Sequence, residues 1–284
     1  MSGETQLEPG WRELLAAAGL EDPQELLDGV PVERLGGKWE ALTKAGLGGR
    51  ERWRWDVDGT GAHVLYVKRY GHTPMREQVD RIRRQAAGHS RAWWEFEQSR
   101  ALAQRYVPVV RAIGVAERMQ SIYELRSAVL FERVSGDAFD RVWPGICEAR
   151  APLACAPARQ ELIRGLARFV SAFHQTGTCH RDLYLCHIFA ELDPEGRRPP
   201  RFTLIDLGRT HRPRMRRLRW LIKDLSQLDC SARQIGASRA DRLRFLVAYL
   251  GLAPRAPRVR FYARRVVRKS DRILRRIARQ ERRS

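Results

Sequence analysis

Apolar and polar positions alternate along the chain between Trp39 and Tyr70, and recur every three or four residues from Arg159 to Gln175. The first period predicts strands and the second a helix. Trp39 to Lys44 predicts one strand. Arg52-Trp53-Arg54-Trp55-Asp56-Val57 interleaves basic and apolar side chains, as a strand with one buried face does. Asp58-Gly59-Thr60-Gly61 supplies a turn, and His63 to Tyr70 (H-V-L-Y-V-K-R-Y) a third strand. Ahead of them, residues 1–36 read as a helical lead-in. Trp11 to Gly19 carries Leu14 and Leu15 on one face and ends at a glycine. Asp22-Pro23 then has the cap and first-turn chemistry for a short helix, Gln24 to Leu27.

Helical spacing returns in Gln78 to Ala87 and in Ser90 to Arg105. Strand-like runs follow at Ala112 to Ala116, Gln120 to Leu125 and Ala128 to Val134, the last running into Ser135-Gly136. Residues 144–157 hold three prolines and read as a loop. Arg159 to Gln175 places Leu162, Leu166, Phe169, Val170 and Phe173 on one side of a helix that stops at Gly177. Phe202 to Ile205 predicts a short strand, and Arg197-Arg198-Pro199-Pro200 a turn joining it to another. Trp220 to Leu228 predicts a helix. Strands first and helices after predict an α+β fold, with a β-rich N-terminal part and a mainly helical C-terminal part.

Charge changes this picture more than composition does. The 284 residues carry 53 Lys and Arg against 33 Asp and Glu, a net +20, which favours an anionic partner. Half of that excess sits in Arg258 to Ser284, where Val259, Tyr262, Val266, Ile273 and Ile277 recur at helical intervals. A basic amphipathic helix of this kind suits an anionic membrane face, or packs on its own domain with a solvated outer side. No apolar run reaches the length of a membrane span, and the N-terminus lacks the pattern of a secretory signal. Cys147, Cys155, Cys179, Cys186 and Cys230 form no C-x-x-C pair, which argues against a cysteine metal cluster and fits a reducing cytoplasm. Nucleic-acid binding rests on charge alone, for no zinc-finger spacing or aromatic RNA-binding motif accompanies it.

The candidate chemistry lies in two acidic motifs. His180-Arg181-Asp182-Leu183-Tyr184-Leu185-Cys186-His187 has the form of a kinase catalytic loop, with His187 where an Asn metal ligand is usual. Leu204-Ile205-Asp206-Leu207-Gly208 follows, an acid at the end of a strand. Phosphoryl transfer needs one carboxylate to orient the attacking hydroxyl and another to hold Mg²⁺ over the ATP phosphates. Asp182 is the candidate base and Asp206 the candidate metal ligand, with His187 a candidate for nucleotide or metal. Lys68, near the end of the third strand, is placed to contact the phosphates. Glu95 is the helix carboxylate chosen to pair with it, from its place in the E-x-E-x-x-x-A-L pattern; Glu97 lies about 200° away around an ideal helix, so the two cannot both serve. Gly46 and Gly48 are candidates for a glycine loop, and the stretch Glu132 to Val134 for the hinge that meets adenine.

These motifs, with Arg219-Trp220-Leu221-Ile222-Lys223-Asp224-Leu225, resemble the lipopolysaccharide core kinases of the Kdo/WaaP type, nearer the heptose kinase branch. The resemblance runs from about residue 40 to about 250. It implies a protein-kinase-like two-lobe fold: a lead-in at 1–36, an N-lobe at 37–135, a C-lobe at 136–257 and the basic helix at 258–284. It also implies an ATP- and Mg²⁺-dependent enzyme that phosphorylates a heptose or Kdo of the inner core, working in the cytoplasm and peripherally on the inner membrane. His187 belongs to that family's pattern, and Asp224 would brace the catalytic loop. A kinase acting on protein or a small molecule, and a catalytically impaired scaffold, stay open as alternatives.

Overall fold

The structure is a computed structural model that describes residues 2–42, 49–147, 156–193, 195 and 197–282. The chain forms two compact units. Unit 1 runs to Val134 and also takes Asp206–Thr210; unit 2 comprises Ser135–Ile205 and His211 onward.

Unit 1 is built on an antiparallel sheet of β1 (Ser2–Leu7), β2 (Lys38–Ala41), β3 (Arg50–Asp56), β4 (Val64–Tyr70), β5 (Ala112–Gln120) and β6 (Tyr123–Glu132), in the order β1-β5-β6-β4-β3-β2. One face of the sheet is closed by the lead-in. Leu65 and Val67 of β4 pack there with Trp55, Ile113, Leu130 and the lead-in residues Leu15, Leu20, Leu26 and Leu27. Side chains alternate along a strand, so Lys68 and Tyr70 face the other way. The helices are α1 (Pro9–Ala17), α2 (Met75–Arg84) and α3 (Arg91–Ala103). The side chain of Ser90 caps α3 by accepting from Trp93 N at 3.1 Å. The short helix after Asp22 is a 3₁₀ turn, Pro23–Leu26, closed by a capping box.

Two expectations change in this unit. The first residues are not helical: β1 lies antiparallel against β5, with Ser2 opposite Met119 and Leu7 opposite Gly114. The three strand-like runs after Ala112 are two long strands, turned at Ser121, whose φ of 54° is left-handed. Strand β2 ends at Ala41. Leu42 N still donates to the Arg52 carbonyl at 2.8 Å, and the rest of the expected strand, Thr43 and Lys44, with Gly46 and Gly48 of the glycine cluster, lies outside the described residues.

Unit 2 contains a small sheet of β7 (Asp137–Ala138), β8 (Ile188–Glu191) and β9 (Arg201–Leu204), in that order, with the Arg197–Pro200 segment joining β8 to β9 as the turn residues predict. Its helices are α4 (Phe139–Cys147), α5 (Ala156–Gln175), α6 (Arg217–Gln234), α7 (Arg239–Leu250) and α8 (Pro257–Glu281). The loop expected from residue 144 is helical through Cys147, with Pro144 inside α4; Phe139, Trp143 and Ile146 are buried and hold that turn in place. Helix α8 is the basic tail. Its Val259, Tyr262 and Val266 are buried in a cluster with Ile222, Leu225 and Leu246, so the first half of its apolar stripe is spent inside the unit, while Ile273 and Ile277 are half-buried. Among the described residues no helix is long and apolar enough to cross a membrane.

Candidate active site

In unit 1, Lys68 is the centre of a charged cluster. Its ammonium donates to Glu95 Oε1 and Oε2 at 3.1 and 3.0 Å and to Asp206 Oδ1 at 2.5 Å. An ammonium has three donors, and three carboxylate oxygens take them. Burial works against the charge on Lys68, but Asp206 and Glu95 outweigh it and hold the group protonated well above the usual lysine range. The β4 alternation that sends Val67 into the core sends Tyr70 to the same carboxylate, its hydroxyl donating to Glu95 Oε2 at 3.0 Å. Burial, then Glu95, pushes the Tyr70 phenol well above its ordinary value, so it acts as a donor. Glu95 is 1% exposed on α3, whereas Glu97 is exposed and accepts from Trp93 Nε1 at 3.3 Å.

Asp206 reaches this cluster through a left-handed backbone, φ 58° and ψ 58°, a conformation that Asp tolerates better than most residues. Arg52 lies 3.9 Å from its Oδ2. Gly208 makes the approach of this segment possible. A Cβ there would stand 3.1 Å from Glu95 Oε2 and 3.3 Å from the Tyr70 hydroxyl, while its carbonyl accepts from Gln85 Nε2 at 2.7 Å.

In unit 2, the segment from His180 to His187 is held by one face of α6. Asp224 accepts from His180 N at 2.7 Å and from Arg181 N at 2.8 Å. Gln227 Oε1 accepts from Leu183 N at 3.3 Å, and Ser231 Oγ from Leu185 N at 3.1 Å. These positions are three and four residues apart, which lines them up on a helix. The loop therefore finds its backbone partners in side chains of α6, where a strand or helix would use its own backbone. His174 Nε2 lies 3.3 Å from Asp224 Oδ2. Burial works against the Asp224 charge, yet His174, His180 and the His180 N–H together keep its carboxyl below the usual range.

Asp182 is half-buried, with Lys223 Nζ 3.9 Å and Gln227 Nε2 3.4 Å from its Oδ1. His187 Nδ1 lies 2.8 Å from the Asp182 carbonyl oxygen. A carbonyl can only accept, so Nδ1 carries the proton and, in the neutral ring, Nε2 carries the lone pair.

A sequence profile of the lipopolysaccharide kinase (Kdo/WaaP) family matches residues 50–249. The chain belongs to this family. The lipopolysaccharide core heptose(I) kinase WaaP of Pseudomonas aeruginosa is 30% identical to it over 72% of this chain and 74% of that protein. The WaaP of Escherichia coli K12 is 36% identical over a shorter stretch, 33% of this chain and 36% of that one. A solved structure of WaaP in complex with acyl carrier protein superposes with a TM-score of 0.66 at 25% identity, covering 95% of this chain and 98% of that one. As a Kdo/WaaP family member the chain is a phosphotransferase, and its α+β, kinase-like fold class is the one its motifs imply.

Among the family motifs, the structure brings Lys68, Glu95 and Asp206 together in unit 1, and Asp182 with His187 in unit 2. Glu132, at the end of β6, donates its N–H to the Arg111 carbonyl at 2.9 Å, and its carboxylate accepts from Trp11 Nε1 and Arg111 Nη1. Val134 is half-buried at the end of the first stretch of unit 1. Gln227, Ser231 and the placing of Lys223 escaped the sequence reading. Their signal was present as polar residues among the apolar positions of a buried helix face. Unit 2 also holds a cavity of about 490 Å³, with Phe139, Trp143, Leu166, Leu228, Leu246 and Val266 in its lining.

Proposed function

We propose that this chain transfers the γ-phosphoryl group of ATP to a heptose hydroxyl of the lipopolysaccharide inner core. The observation that carries the reading is the Lys68 ammonium gripped by Glu95 from one element and Asp206 from another. Charges so arranged suit polyphosphate: Lys68 would bind phosphate oxygens, with Glu95 and Tyr70 holding it in position. Gly46 and Gly48 would cover the phosphates. The backbone from Glu132 to Val134 would meet adenine, without the Glu132 N–H that Arg111 already takes. Asp182 would accept the proton of the sugar hydroxyl.

The donor set fits Mg²⁺ at one residue and not at the other. Asp206 offers carboxylate oxygens, the donors this ion prefers, and Lys68 and Arg52 now balance their charge. When bound there, Mg²⁺ supplies charge neutralisation at the phosphates. His187 offers one imidazole nitrogen while the other is committed to the Asp182 carbonyl, a poor match for Mg²⁺. Its reading is as a brace for the loop.

Phosphate transfer from labelled ATP decides the acceptor. With Mg²⁺ present, label is expected on core oligosaccharide lacking its heptose phosphate, and not on a protein panel or simple sugars. Label on protein alone, or none on the core, would sink this reading.

The acceptor is anionic, and the outward basic side of α8 suits it and an anionic membrane surface, chiefly by charge since Val259, Tyr262 and Val266 are buried. The structural relative was solved with acyl carrier protein. The apolar cavity of unit 2 suits an acyl group from such a partner. Acyl-loaded carrier protein is then expected to raise the melting temperature more than the unloaded form. Equal shifts, or none, would dismiss the cavity as the acyl site.

A further inference from the structure

The loop between His180 and His187 carries Tyr184 two residues after Asp182, a phenol whose pKa burial raises, so no ammonium comes from that position. One arrives from α6. The Lys223 ammonium donates to the Arg181 carbonyl and lies 3.9 Å from Asp182 Oδ1. Arg181 has a left-handed backbone, φ 73°, which a non-glycine residue keeps only when its surroundings hold it. Here Asp224 holds its N–H and Lys223 its carbonyl, so neighbouring residues of one helix fix both ends of the residue before Asp182. Gln227, one turn further along α6, donates to the same Asp182 oxygen at 3.4 Å and accepts from Leu183 N.

We propose that Lys223 is a positioning residue for phosphoryl transfer: it fixes the Arg181–Asp182 peptide and so aims the Asp182 carboxylate at the sugar hydroxyl. The inference rests on the kinase reading of Asp182. Among the described residues of unit 2, Tyr184 and His187 from its own loop and Lys223 from α6 lie against Asp182. The phenol is neutral, and His187 turns its protonated nitrogen to the backbone. Lys223 brings positive charge to the carboxylate itself. Both side chains here are about a quarter exposed, 25% and 23%.

The test uses the full chain with Asp182→Asn, Lys223→Met and Lys223→Arg, measuring kcat and KM for ATP, with melting temperature as the check on folding. Lys223→Met is expected to lower kcat by about 10- to 100-fold at unchanged KM for ATP and with little change in melting temperature. Lys223→Arg, which keeps the charge and a donor, is expected to recover most of the lost kcat. If Lys223→Met leaves kcat within about threefold of the native enzyme, or if kcat falls only together with the melting temperature and Lys223→Arg restores neither, the proposal fails. If Asp182→Asn stays active, the kinase reading of Asp182 fails instead.

Discussion

Asp182→Asn is expected to reduce kcat by about 10² to 10⁴-fold, the range a positioned acid or base contributes. The substitution is close to isosteric. The Asn carbonyl oxygen can still accept from Gln227, and the main-chain oxygen of residue 182 can still accept from His187 Nδ1. What it loses is the ability to receive a proton. Lys68, Glu95 and Asp206 belong to the other unit's cluster, so ATP affinity should change little. The melting temperature should stay within a few degrees, because Asp182 is half-buried and the loop is anchored elsewhere. Steady-state kinetics with ATP and core oligosaccharide, alongside ATP titration calorimetry, separate these effects. A rate within about threefold of the native enzyme would remove Asp182 from the proton transfer.

The parts of the site that were legible in the sequence are those whose signal is local. The alternation of β4 shows that Lys68 must face away from Val67, and the helical period of α3 separates Glu95 from Glu97. Both follow from 2.0- and 3.6-residue repeats, and the structure has Glu95 on Lys68 with Glu97 in solvent. Asp224 was legible through its motif, as an acid one residue past a lysine on a predicted helix, and it does hold the loop backbone. Strand β1 was not legible. Ser-Gly-Glu-Thr-Gln-Leu has little strand propensity of its own, and its conformation comes from pairing with residues more than a hundred positions away. Helix α7 was overlooked for a different reason. Ser238 and Asp241 form a capping box and Gly251 ends the helix with φ 62°, so both signals were in the sequence. Gln227 and Ser231 illustrate the remaining limit. A helix repeat shows which face they share, but only the fold shows that the loop from His180 to His187 lies against it.

Asp224→Ala is expected to cost the largest share of stability of any single change in unit 2, about 3–5 kcal/mol, the range for removing one partner of a buried charged network. Asp224 is fully buried and accepts from two main-chain N–H groups as well as facing His174, whose other ring nitrogen lies 2.9 Å from the Tyr249 hydroxyl. Alanine would leave those donors without an acceptor in a place water does not reach. The left-handed Arg181 would lose the acceptor that holds its N–H, so activity should fall with stability, which distinguishes this variant from Asp182→Asn. The pH dependence has a definite sign. The folded-state carboxyl value is lowered, so the stabilisation is complete above the unfolded value of about 3.9 and is lost as pH falls from there towards the folded value. Urea unfolding at pH 7 and at about pH 3 should therefore show native stability falling on acidification, and Asp224→Asn, which cannot ionise, should show a shallower fall. Equal slopes for the two proteins would mean that the Asp224 charge does not hold the loop, and that hydrogen bonding alone suffices.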